Sequence, residues 1–325
     1  MDRPKVGLAL SGGSGRAIAH AGVLDVLAEN NIPIDYIAAC SSGAIVAAAY
    51  SCGTLPELKS YVFNELERKD LLGLIRPSGR GGILALKNIE AQLQPYTRGL
   101  NMEDVRPQLA FTSIDLNTGE LVPITLGGIG RGIKAACSVP FIFEPVMWGG
   151  KTLVDAGLVN VVPSDVVKQM GADIVITVDI AATRMIFTRN HLQLMKGFLW
   201  MTKSGSSPFF YTKRLFNQLY SQSDMSDMIN IEESMPSFAE VFTRILEIAA
   251  KREQLVTNFK ELSDVLIEPK VKHHGRLDIR GARLAYNEGR VATIKALPRL
   301  KRLIFSDNEN LKHASKMKEY GYQQT

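Results

Sequence analysis

The sequence predicts an α/β protein built on a largely parallel sheet, and three observations carry that reading. Short apolar runs alternate with helix-patterned segments from the start of the chain, in the order strand, helix, strand, helix. The first run, Val6 to Leu10, ends in SGGSG, a strand-to-helix corner. Further on, SDVVKQMGAD leads straight into the very apolar Ile174 to Val178, the composition of a strand covered on both faces.

In chain order, RAIAHAGVLDVLAENN has helical spacing and a stop at Asn30-Asn31. IDYIAAC is the second strand and SGAIVAAAYSCG the second helix, closing near Gly53. QLAFTSIDLNTGELVPITLG holds two strand-like runs around NTGE, a turn signal. IGRGIKAACSV is a short helix ending before Pro140, and KTLVDAGLVNVVP is a strand that opens into a loop. The next helix is expected to be capped by Ser164 or Asp165. SFAEVFTRILEIAAKREQLV is amphipathic, with Ser237 and Glu240 placed as a capping box. DVLIEPKV reads as the last strand and YNEGRVATIKALPRLKRLI as a basic C-terminal helix. Residues 1–305 are expected to form one domain, with a helical, lid-like insertion at about 182–226, and 306–325 a polar, partly disordered tail.

Composition narrows the function. The 325 residues are 46% hydrophobic and 22% charged, ordinary globular material. Cys40, Cys52 and Cys137 fit no zinc spacing, so a reduced interior is expected and no metal. Neither a secretory h-region nor an apolar run of the roughly 20 residues that span a bilayer is present. The expectation is a cytoplasmic protein. A net charge of +5 suits anionic partners such as the headgroups of the inner membrane face, and no nucleic-acid motif accompanies it.

Three corners can carry chemistry, each at the carboxyl end of an expected strand, where open α/β sheets bind ligands. In LALSGGSGRAIAH, Gly12, Gly13 and Gly15 can turn backbone N–H groups toward an anion, with Arg16 adding charge; the other reading is a tight turn. In Ala39-Cys40-Ser41-Ser42-Gly43, small residues flank Ser41 as in a nucleophile elbow; the other reading is that both serines cap a helix. Cys40 is expected to point to the opposite side of the strand end as a buried thiol. In LVDAGLVNVVP, Asp155 stands before a turn, able to take a proton or to bond its own loop.

Together, in this order, the corners resemble the patatin-like phospholipases. FTSIDLNTGEL, AACSVPFIFEPV, DAGLVNVVPSDVVKQMGADIVITVDI and YNEGRVATIKAL extend the likeness, which covers Lys5 to about Ile180 well. The resemblance implies the three-layer α/β/α sandwich of that lysophospholipase-like fold, with a mostly parallel central sheet. It implies a lipid acyl hydrolase of phospholipase A, lysophospholipase or esterase type, working without cofactor through a Ser–Asp dyad. Ser41 matches the nucleophile and Asp155 the base; Gly12, Gly13, Ser14, Gly15 and Arg16 match the oxyanion loop. A carboxylate that deprotonates serine should be desolvated, with its pKa raised. Ala39, Ser14 and Ala17 stand where the family has glycine. A catalytically impaired lipid- or acyl-binding protein is the alternative that those three support. His20 is expected to be structural. The aromatic and basic segment at 182–226 reads as a cover over the sheet or as a membrane-contact surface, with Phe198 and Trp200 at its centre.

Overall fold

The computed structural model describes residues 3–66, 75–77, 82–86, 88–158, 160–181, 236, 240–241, 244–245, 247–248, 259–272 and 281–319. The segment at 182–226 and Ser237 lie outside them.

β1 (Val6–Leu10) is buried throughout and turns through the glycine loop into a 3-10 turn, Ser14–Ala17, continuous with α1 (Ile18–Glu29). α1 stops where Asn30 Nδ2 donates back to the Val26 carbonyl and Asn31 takes a φ of 54°, a conformation that asparagine tolerates. β2 (Tyr36–Cys40), α2 (Gly43–Ser51) and α3 (Leu55–Ser60) follow. β3 (Ile75–Pro77), β4 (Gly82–Leu86) and α4 (Ile89–Thr97) precede β5 (Gln108–Asp115), which forms a hairpin with β6 (Leu121–Ile124). Then come α5 (Ile129–Ala136), β7 (Phe141–Phe143), β8 (Val146–Trp148), β9 (Lys151–Asp155), α6 (Ser164–Gln169), β10 (Ile174–Val178), β11 (Val265–Ile267) and α7 (Ala282–Glu319).

The main sheet is mixed, in the order β11-β10-β1-β2-β5-β9-β8, with β6 also on β5. The five strands from β11 to β5 are parallel, while β6, β8 and β9 run antiparallel to their neighbours. β3, β4 and β7 form a small second sheet. Helices cover both faces of the main sheet, giving the expected α/β sandwich. One core joins the sheet to α1, α2, α4, α5 and α7. The other face packs on α6 and on Val241, Ile245 and Ile248, three residues of a helical stretch.

α1 and α7 touch backbone to backbone. A Cβ at Gly22 would stand 2.1 Å from the Tyr286 carbonyl oxygen, and one at Gly289 2.0 Å from that of Ala19. α7 runs on to Glu319, through residues expected to be a frayed tail. From 306 to 319 the chain carries three Lys and two Glu and meets no Gly or Pro, so no strong breaker stops the helix. Neither Ser164 nor Asp165 caps α6: the Ser164 hydroxyl pairs with that of Thr177 at 2.8 Å, and Asp165 accepts from Asn160. Among the described residues no helix is long and apolar enough to cross a membrane.

Candidate active site

The site follows from where two strands end. β5 offers one edge to β6 and the other to β2, which pairs with it as far as Cys40 opposite Thr112. The next β5 residue, Ser113, pairs with Asp155, the last residue of β9. β6 spans Phe111 to Ile114 of β5, so β9 has to occupy the same β5 edge as β2. β2 runs with β5 and β9 against it. Their carboxyl ends therefore meet head to head, and Ser41 and Asp155 come together at the joint. The sequence reading placed each corner at the carboxyl end of an expected strand; Ser41 follows the last residue of β2 and Asp155 ends β9. It did not foresee that Asp155 arrives on an antiparallel strand.

At the end of β2 the backbone bends sharply. Ser41 has φ 51°, the left-handed region that a side chain adopts only under strain, and Ser42 is already helical. The glycine two residues past Ser41 is required by packing: a Cβ at Gly43 would sit 2.8 Å from the Ser11 carbonyl oxygen. Ala39 is a buried strand residue paired with Leu10 and Phe111, and its methyl joins the core. The capping alternative gains no support. Ser42, at the N-cap of α2, makes no side-chain cap bond; its Oγ accepts the Gly13 N–H at 3.3 Å. The Ser41 hydroxyl faces Asp155 and pulls the pKa of that carboxyl down.

Asp155 is buried, and burial pushes its carboxyl up to about 6, against the downward pull of bonds from Ser41, the Gly157 amide and Cys40. The raised value is the one expected of a carboxylate that takes a proton from serine. The Gly157 N–H donates to Oδ1 at 2.7 Å, so Asp155 bonds its own turn and the serine together.

The glycine loop closes the third side. A Cβ on Gly12 would lie 3.1 Å from Ser41 Cβ. The Gly12 N–H donates to the Val161 carbonyl at 3.1 Å, which ties the loop to the segment after Asp155. The Gly12 N–H is engaged by that bond, as the Gly13 N–H is by Ser42 Oγ, so within the loop the amides of Ser14 and Gly15 are the ones these two bonds do not use. Ser14 has φ 56°, whereas Ala17 has φ −56°, so only the first of these two departures from glycine is strained. Arg16 is nearly buried, and its Nη2 donates to the Lys272 carbonyl at 3.4 Å, a tether to the loop after β11.

Cys40 is the buried thiol expected, in the core on the opposite face of the sheet from Ala39. Its Sγ lies 3.8 Å from Asp155 Oδ1, because the strand ends abut. Burial first, and then the Asp155 charge, holds its thiol well above the ordinary value. Burial and the same charge raise Cys137. His20 is buried and its Nε2–H donates to the Ser11 carbonyl at 2.8 Å, while desolvation pulls its pKa down to about 4. It is a neutral ring serving the core. Sequence reasoning missed Val161 and the bond of Ser42 to Gly13. Val161 contributes through a backbone carbonyl, for which side-chain identity gives no signal.

This constellation belongs to a class: an α/β protein with a serine on a strained elbow, facing a buried carboxylate beside a glycine loop. The patatin-like phospholipase family model matches residues 8–168. The chain belongs to that family. It is 27% identical over 299 residues to an uncharacterized NTE family protein of Mycobacterium tuberculosis, covering 90% of this chain and 46% of that protein. A second uncharacterized NTE family protein, from Mycobacterium bovis, is 29% identical over 178 residues, 54% of this chain and 49% of its own length. A mouse patatin-like phospholipase domain-containing protein, number 7 of its series, is 28% identical over 216 residues, 60% of this chain and 15% of its own. The chain thus spans about half the length of the first of these curated relatives, or less.

Proposed function

We propose that this protein is a serine-dependent lipid acyl hydrolase, cleaving the ester of a phospholipid, a lysophospholipid or another acyl substrate. The observation that carries the reading is Ser41, raised on a φ of 51° and facing a buried carboxylate held up to about 6. Above that value Asp155 is ionised and takes the Ser41 proton as Oγ attacks the carbonyl carbon. The carbonyl π pair moves onto oxygen, where the amides of Ser14 and Gly15 stabilise it. The leaving alkoxide takes the proton from Asp155, and water, activated by the same carboxylate, then releases the acid from Ser41. At each step the head-to-head strand ends keep acid–base group and nucleophile in contact.

Ser41→Ala keeps the backbone demand at this corner unchanged and removes only the oxygen. Hydrolysis of a p-nitrophenyl acyl ester should fall by about 10³-fold or more, with unfolding unchanged. Retained hydrolysis in that variant overturns the assignment. One observation favours a second reading, an impaired acyl-binding protein: Ser14 is strained within the loop that has to support the oxyanion. Labelling of Ser41 by a fluorophosphonate separates the two, since only a working dyad reacts.

A further inference from the structure

The joint between β2 and β9 holds a group that the mechanism above does not use. Cys40 is the last residue of β2, fully buried, with Sγ 3.8 Å from Asp155 Oδ1. A Cβ on Gly12 would lie 3.6 Å from the same sulfur. The thiol thus stands close to both the glycine loop and the carboxylate. We propose that Cys40 is a positioning residue for the base: its S–H fixes the Oδ1 end of the Asp155 carboxylate and keeps water out of the joint, so that the oxygen meeting Ser41 stays aimed and poorly solvated. The inference rests on the Ser41–Asp155 reading.

The chemistry of sulfur suits that task. A thiol is a weak donor with a large, polarizable atom. It occupies the space that water would take and donates only a feeble bond in return, so it orients a carboxylate while doing little to stabilise its charge. A hydroxyl at this position would donate more strongly and fill less volume. The thiol stays protonated, since burial and the neighbouring carboxylate both oppose its ionisation. It is therefore a permanent donor and no rival to Ser41 as nucleophile.

The surroundings define what titrates. Asp155 is faced by Ser41 and Cys40 from the end of β2, by Cys137 at the end of α5, and by the Gly157 amide of its own turn. His20, on α1, turns its N–H to Ser11 and is neutral above about pH 4. The acidic limb of the rate profile thus reports the carboxyl that Cys40 contacts.

The experiment is kcat/KM for a p-nitrophenyl acyl ester across about pH 4 to 9, for wild type, Cys40→Ser, Cys40→Val, Cys40→Ala and Ser41→Ala. Cys40→Ser should move the acidic limb down by about half a pH unit or more, with kcat lowered and KM little changed. Cys40→Val excludes water without donating and should move the limb up. Cys40→Ala, the mildest change, admits water and moves it down, which keeps the test open where valine prevents folding. A thiol that merely fills space predicts lower melting temperatures with the limb fixed; that result, in variants that fold, overturns the proposal. The controls keep the two readings apart: hydrolysis surviving in Ser41→Ala overturns the dyad and this inference with it. An inactive Ser41→Ala beside unmoved Cys40 limbs overturns this inference alone.

Discussion

Two corners of this molecule carry the same strain for different ends. Ser41, after β2, has φ 51°, and Ser14, in the loop after β1, has φ 56°. Each places a side chain where glycine is favoured, at about 1 kcal/mol or more. At Ser41 a glycine would relieve the strain and remove the hydroxyl that bonds Asp155, so the strain is inseparable from the chemistry. At Ser14 the side chain is exposed, and what the proposed mechanism asks of the residue is its backbone N–H. Strained backbone alone therefore does not mark a reactive residue. What distinguishes Ser41 is the buried carboxylate that its hydroxyl meets.

The largest effect comes from removing that carboxylate. Asp155 has a folded-state pKa of about 6, above its ordinary 3.8, so between those values the folded state holds more protons than the unfolded one. Stability then falls as pH rises through that window and lies at its lower plateau above it. Asp155→Asn has no such term. The stability of the variant relative to wild type should increase by on the order of 2 kcal/mol between pH 4 and pH 7, read from urea unfolding at both. His20 titrates in the opposite sense, its stabilising effect lost as pH falls from 6.5 toward about 4, but it is present in both proteins and cancels. A difference that stays constant with pH would remove the buried charge from Asp155 and, with it, the contrast between the two serines.

Gly12 links the corners. A Cβ there would stand 3.1 Å from Ser41 Cβ, close enough that one of the two has to shift by a few tenths of an ångström. Gly12→Ala should lower kcat/KM by about 10-fold, roughly 1.4 kcal/mol in the barrier, while the fold persists. Unchanged kinetics would mean that the elbow is not held against the glycine loop.

Much of this was legible in the sequence because it depends on residue type. The strand-to-helix alternation, the glycines of the first corner, the small flanks of Ser41 and the Asp-x-Gly turn each have a local physical reason that pattern reading finds. What was hidden depends on pairing. No local feature of KTLVDAG says that β9 runs against β5, yet this direction is what turns Asp155 toward Ser41 and brings Cys40 against the carboxylate. β3, β7 and β8 have three residues each, too few to show an alternation. The Val161 carbonyl that anchors Gly12 is a backbone group, and any residue type supplies one. The helix over 306–319 was missed for the reverse reason: polarity was taken for fraying where helix propensity prevailed.

The smallest prediction bears most directly on the comparison. Ser14→Gly should stabilise the protein by about 1 kcal/mol, somewhat offset by the added freedom of glycine in the unfolded chain. The hydroxyl is exposed, so its loss leaves no buried partner unsatisfied. Activity should be retained or rise, because the loop keeps its amides and reaches the same φ of 56° without a Cβ to oppose it. Urea unfolding and ester hydrolysis of the one variant measure both. If Ser14→Gly destabilises the fold or lowers kcat/KM, the Ser14 side chain contributes something that balances its strain. The two corners would then be alike, each with a serine kept for its hydroxyl.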